Sequence, residues 1–359
     1  MIRLLKTLGT ALLFLAIGAC FLPTLLPPFL DRIYYEGSES GHYDGERFFN
    51  PLDRLRQAER RKPNRFFSRW LTGEGRARWP DQVPVTPTKP PARVEGQAMK
   101  VTWIGHATVL VQTAGLNILT DPIWSDRASP FSFTGPKRVR APGVHFENLP
   151  KIDLVVVSHN HYDHMDLPTL KRLWDRDRPV IVTSLGNDTI LKGRGIGAAA
   201  LDWDGKLTLP SGAAVRVERN HHWSSRWFSD RNRALWSAFT IILPSGNVFF
   251  AGDTGYGDGG WAREAAAHGP YRLAILPIGA YEPREVMKNS HINPEEAMRV
   301  YRTLGAKSGL GIHWGTFQLT FEPIGEPLER LAKLRREAGP EGAGFIATEA
   351  GRTWDVPPL

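Results

Sequence analysis

His159-Asn160-His161-Tyr162-Asp163-His164 puts three imidazoles and one carboxylate within six residues. It follows Lys151–Val157, a nearly continuous apolar run of the kind expected for a strand buried on both faces. The ligands therefore sit on a loop at a strand's C-terminal end. In extended chain, His159 and His161 point the same way and can share one cation. Asp163 and His164 then turn toward a second. Neutral imidazole and carboxylate suit zinc and similar divalent ions. The chain has one cysteine, Cys20, which excludes an intramolecular disulfide and any thiolate-rich metal site.

Four ligands cannot complete two metal sites, so the remainder must lie downstream at other strand ends. Candidate strands end at Arg219, Ala251 and Ile312, and each is followed by a metal-binding residue type: His222, Asp253 and His313. Open α/β sheets place their sites at such ends. His221 competes with His222, and spacing does not separate them. Other strands are expected at 101–104, 108–112, 116–120, 180–184, 238–243 and 273–277. Helices are expected at 167–175, 295–304 and 328–338, the second opened by Asn293 as N-cap and Pro294 in the first turn. Strands and helices alternate, so residues 99–359 read as one α/β domain.

The N-terminal third differs. Arg3 and Lys6 precede a charge-free stretch from Thr7 to Leu30. Leu8–Leu22 can be helical, broken by Pro23, Pro27 and Pro28. Residues 1–30 read as a short membrane anchor or signal segment, with the body across the membrane in a bacterial cell envelope. Ile17-Gly18-Ala19-Cys20 resembles a lipoprotein box, so lipidation of Cys20 is the alternative to a retained anchor. Residues 31–98 form a basic, aromatic, proline-rich arm. Residues 43–100 hold 13 Lys/Arg against 7 Asp/Glu, with Arg60-Arg61-Lys62, Phe66-Phe67, Trp70 and Trp79 interleaved. Such an arm either lies on an anionic bilayer or packs its aromatics on the main domain. The whole chain carries a formal +8 charge. That excess fits an anionic partner, but no nucleic-acid motif accompanies it.

Several blocks narrow the reading further. They are Tyr43–Pro51, Trp103–Thr108, Thr120-Asp121-Pro122, Ser158–His164, His222-Trp223 and Phe249–Tyr256. They continue with Pro277–Arg284, His291 with Pro294–Ala297, and Ile312–Phe317. Over residues 43–325 the chain resembles the metallo-β-lactamase superfamily, specifically its N-acylphosphatidylethanolamine-hydrolysing phospholipase D branch. The resemblance implies an αββα sandwich, two zinc ions, a phospholipid substrate and a homodimer. It favours His222, which directly precedes a Trp, over His221. It assigns His159, His161 and His222 to one zinc and Asp163, His164 and His313 to the other, with Asp253 bridging. Two cations about 3.5–4 Å apart can clamp a phosphoryl group and supply hydroxide at neutral pH. N-acylethanolamine and phosphatidic acid would be the products.

His291 is expected to contact the substrate phosphate or assist the leaving group, and Tyr162 and Tyr256 to line the pocket. Asp121 reads as an orienting partner of a ligand imidazole. His106 reads as a supporting residue, and His42, His145 and His268 as unrelated to the site. Two other readings use the same residues: a hydrolase of a lactone or soluble phosphodiester, and a membrane-tethered binding protein without activity.

Overall fold

The computed structural model describes residues 2–25, 32–55, 69, 72–227 and 229–359. Arg60-Arg61-Lys62, Phe66-Phe67, Trp70, Pro27 and Pro28 lie outside the described residues. Two seven-stranded sheets face each other among the described residues. The first contains β1 (Met99–Gly105), β2 (Thr108–Thr113), β3 (Leu116–Thr120), β4 (Leu154–Val157), β5 (Val180–Ser184) and β6 (Ala199–Leu201). The second contains β7 (Lys206–Thr208), β8 (Ala214–Glu218), β9 (Ala238–Ile242), β10 (Asn247–Phe250), β11 (Tyr271–Pro277), β12 (Ser308–Ile312) and β13 (Phe345–Ile346). The C-terminal β14 (Thr353–Asp355) returns to pair with β1, completing the order β14-β1-β2-β3-β4-β5-β6. The second sheet runs β13-β12-β11-β10-β9-β8-β7.

The period of two explains the layering. Leu154 and Val156 of β4 enter the core between the sheets, while Val155 and Val157 face the outer layer with Leu170 and Leu173. Those leucines belong to α3 (Leu167–Asp177), which covers the first sheet. The expected strand over 151–157 is thus shorter at its start but buried on both faces. The second sheet is covered by α5 (Gly260–Ala266), α7 (Pro294–Leu304) and α8 (Glu326–Ala338), through Trp261, Met298, Tyr301 and Leu331. Asn293 caps α7: its side chain accepts from Glu296 N, and the Glu296 carboxylate accepts from Asn293 N. Helices α4 (Asn187–Lys192) and α6 (Arg284–Met287) are short connectors.

The leader forms α1 (Ile2–Leu25), which begins earlier than expected and continues past Pro23. Proline's own φ is helical, so near a helix end it costs little more than one hydrogen bond. Every described side chain from Thr7 to Ala19 is exposed. Among the described residues, no helix is long and apolar enough to cross a membrane. The arm runs against the sandwich. Tyr43 and Phe48, flanking the chain just before α2 (Pro51–Leu55), pack with Leu235 and Trp236. The Trp79 indole donates to the Glu322 carbonyl at 2.8 Å, and Gln112 donates to the Pro91 carbonyl at 2.8 Å. These aromatic groups of the arm are used for packing on the domain.

Candidate metal centre

The ends of β4, β8, β10 and β12 meet at one edge of the sandwich. Gly252 shows how closely. At φ +59°, it sits where a Cβ would come within 2.6 Å of the Ser158 Cβ, so only glycine lets β10 finish beside β4. Three other residues adopt left-handed backbone here: His106 (φ 54°), Asp121 (φ 33°) and His313 (φ 64°). Such conformations cost about 1–3 kcal/mol each and persist where surrounding bonds impose them. His313 N donates to the His106 carbonyl, and Asp121 N to that of Val156.

Two clusters result. In the first, His159 Nε2 lies 2.7 Å from His161 Nδ1, and His222 Nε2 lies 3.4 Å from the same atom. In the second, Asp163 Oδ2 lies 3.3 Å from His164 Nε2 and 3.5 Å from His313 Nε2, while the two imidazole nitrogens are 3.2 Å apart. Asp253 stands between the clusters. Its carboxylate is 3.1 Å from both His164 Nε2 and His313 Nε2, and 3.9 Å from His222 Nε2. His291 faces the same carboxylate at 3.7 Å through Nδ1.

The surroundings orient these rings. Asp121 Oδ2 is 2.6 Å from His164 Nδ1 and accepts from the Ser158 hydroxyl at 2.5 Å. Ser158 Oγ in turn lies 2.9 Å from His159 Nδ1. His222 Nδ1 faces the Ser290 carbonyl at 2.8 Å, and His106 Nε2 lies 2.9 Å from Asp163. The Nδ1 contacts of His164, His159 and His222 turn Nε2 of each ring inward, while His106 holds the Asp163 carboxylate. The Asp121 role was legible in sequence. The Ser290 contribution was not, because a backbone carbonyl leaves no mark on residue type.

Electrostatics separates the clusters. Burial holds His159 and His222 well below the usual imidazole range and His161 at about 3. Burial also works against charge on His164 and His313, but Asp253 and neighbouring carboxylates override it. His164 is held well above the usual range and His313 at about 9. Burial alone would raise Asp163 and Asp253; the imidazoles, His164 foremost, keep both well below the usual carboxylate range.

The donor set fits divalent cations. Imidazole nitrogens facing one another at 2.7, 3.4 and 3.2 Å set lone pairs in opposition unless a proton or cation lies between them. Buried His161 Nε2 has no hydrogen-bond partner among the described residues. The groups that could hold an ion include His159 with His161 and His222, and Asp163 with His164, His313 and His106.

The other expected residues are also located. His221 turns away, its Nε2 3.4 Å from Asp53 of the arm. Tyr256 packs beside the core under the Arg299 guanidinium, 4.5 Å from its ring centroid. Tyr162 lies on the opposite side of its loop from the imidazoles: its hydroxyl donates to the Arg226 carbonyl at 2.9 Å, and the Arg226 guanidinium covers its ring at 4.0 Å. His42 pairs with Asp202, and His268 with Glu218.

A two-sheet α/β sandwich with buried histidines and aspartates gathered at its strand ends defines a metal-dependent hydrolase. The β-lactamase superfamily domain matches residues 116–314. N-acyl-phosphatidylethanolamine-hydrolyzing phospholipase D 1 of Caenorhabditis elegans is 39% identical over 267 residues, covering 71% of this chain and 75% of that protein. The chain belongs to the metallo-β-lactamase superfamily, in the branch of N-acylphosphatidylethanolamine-hydrolysing phospholipase D. The mitochondrial enzyme of that name from Saccharomyces cerevisiae is 35% identical over 252 residues, 66% of this chain and 52% of that protein. A metallo hydrolase from the archaeon Ignicoccus hospitalis shares the fold, with TM-score 0.53 at 20% identity, over 72% of this chain and 99% of its own.

Proposed function

We propose that the protein is a dinuclear-zinc phospholipase D that cleaves N-acylphosphatidylethanolamine to N-acylethanolamine and phosphatidic acid. The observation that carries this reading is the placement of Asp253 between two clusters of imidazole and carboxylate. His159, His161 and His222 would hold one ion, and Asp163, His164 and His313 the other, with Asp253 shared. When bound, such a pair supplies Lewis-acid stabilisation of phosphoryl charge and a hydroxide nucleophile at neutral pH.

The chain's own groups do the rest. Asp121 and Ser158 fix the tautomers and angles of His164 and His159. His291 is nearly buried and stands before the capped start of α7, with its carbonyl held by Arg284 at 2.8 Å. Burial keeps this imidazole neutral, at about 4, so it can donate one hydrogen bond to a phosphoryl or leaving-group oxygen. The names of the worm and yeast relatives support the lipid substrate. We read α1 as a membrane anchor, supported by Leu12, Phe14 and Leu15, each more than half exposed.

The test is product release from N-acylphosphatidylethanolamine in mixed micelles, beside metal content by mass spectrometry. Release of N-acylethanolamine with close to two ions per chain is expected. Inactivity there with turnover of lactones or soluble diesters would move the substrate assignment to those classes. Removing residues 1–30 should release the protein from vesicles.

A further inference from the structure

Behind the metal loop lies a cavity of about 700 Å³, inside the size range of small-ligand sites. None of the clustered histidines lines it. Its walls come from the start of the arm, the loop 125–130, the first turn of α3, the end of α4 and the segment 226–227. Arg32, Arg127, Lys171, Arg194 and Arg226 line it, with Asp166 as the lone carboxylate.

The balance of partners makes this cavity cationic. Asp166 is already satisfied by neutral donors: Trp124 N, Ser125 N, Ser125 Oγ and Thr169 Oγ1. Lys171 pairs with Asp175. Among the described residues, none of the four arginines forms an ion pair. Arg127 donates to the carbonyls of Ser132 and Gly135. Arg226 donates to those of Asn160 and Met165 at 2.8 Å each, and it is half-buried. Guanidinium groups that outnumber the carboxylates around them, in a concave site, are matched by phosphate.

The rim points to where that phosphate resides. Outside α1, the large apolar side chains that stand exposed among the described residues are Ile33, Phe131, Phe133 and Leu359. The first three adjoin this cavity. Ile33 lies between the lining residues Arg32 and Tyr34, and Phe131 follows the lining residue Pro130. Phe131 and Phe133 contact each other at 5.4 Å between centroids. Exposed aromatics beside basic groups suit the headgroup layer of an anionic bilayer. Arg32 follows the end of α1 by seven residues, a reach of at most about 25 Å of chain.

We propose that this cavity is an anion site that takes the phosphate of an anionic glycerophospholipid from the bilayer, separate from the scissile phosphodiester at the metal centre. The bilayer as source rests on the reading of α1 as an anchor; the phosphate chemistry does not.

The test uses full-length, metal-loaded protein in neutral detergent, titrated calorimetrically with dihexanoyl-phosphatidylglycerol, dihexanoyl-phosphatidylcholine and inorganic phosphate. Saturable binding of the phosphatidylglycerol is expected, at least about tenfold tighter than either of the others and weakened by salt. The double variant Arg32→Ala/Arg194→Ala removes two exposed arginines that the described structure leaves unpaired. It should weaken that binding at least tenfold, with metal content and thermal midpoint unchanged. Equal affinity for inorganic phosphate would make this a soluble-phosphate site and overturn the lipid assignment. Equal affinity for the zwitterionic lipid, or unchanged binding in the double variant, would overturn the site itself. Because the lipid is presented without a bilayer, these outcomes are independent of the vesicle test of residues 1–30.

Discussion

The two sides of the loop after β4 are built from opposite chemistries. On the inner side, imidazoles and carboxylates are buried, and back contacts from Asp121, Ser158, His106 and the Ser290 carbonyl fix their angles. On the outer side, arginines surround an open cavity, and the contacts around Tyr162 and Arg226 go largely to backbone carbonyls. The inner side offers imidazole nitrogens and carboxylates suited to a cation. The outer side offers guanidinium groups suited to an anion. A single loop separates them because the chain turns at His161, with His164 N and Met165 N both donating to its carbonyl.

That contrast can be broken by substitution. The largest effect is expected for His161→Ala, since this ring faces both His159 and His222. Hydrolysis should fall on the order of a thousand-fold, with loss of metal from that cluster. A variant that keeps full metal content and activity would end the two-cluster reading. His291→Ala should retain metal yet lose about a hundredfold in rate on the natural-type ester. With a nitrophenyl leaving group, whose departing oxygen gains little from a hydrogen bond, the loss should shrink; an equal loss on both esters would exclude leaving-group assistance.

Next comes Asp121→Ala, which leaves His164 and Ser158 without their shared acceptor. Metal affinity, measured by chelator competition, should fall roughly 10–100-fold. Unchanged affinity would mean that packing alone orients His164. The smallest effect should come from Tyr162→Phe. Loss of its hydroxyl bond to the Arg226 carbonyl should cost about 1 kcal/mol in denaturant unfolding, with turnover within about threefold. A tenfold loss of turnover in a folded variant would put Tyr162 on the substrate side after all.

Much of this architecture was legible locally. The double burial of β4 followed from its unbroken Leu-Val-Val-Val, and the α7 cap from Asn293 before Pro294. The short strands β6, β7, β13 and β14 were not legible, because segments of two or three residues carry too little periodicity to stand out. Helices α4 and α5, of six and seven residues, were not legible either, since neither completes two turns of periodicity. The aromatic arm also carried two physical meanings at once. The packing of Tyr43, Phe48 and Trp79 depends on grooves made by residues some 190–240 positions away.

The sequence by itself determined the chemistry. Histidine and aspartate in six residues after a buried strand, with one cysteine in the whole chain, left an imidazole–carboxylate metal centre as the consistent reading. The resemblance already favoured His222 over His221 and put Asp253 between the clusters; only the tertiary structure set their atoms against one another and turned Tyr162 to the arginine-lined side. Residue type fixes which atoms can bind an ion. Which of them meet is set by strand register and by the close approach that Gly252 permits, and no local pattern encodes either.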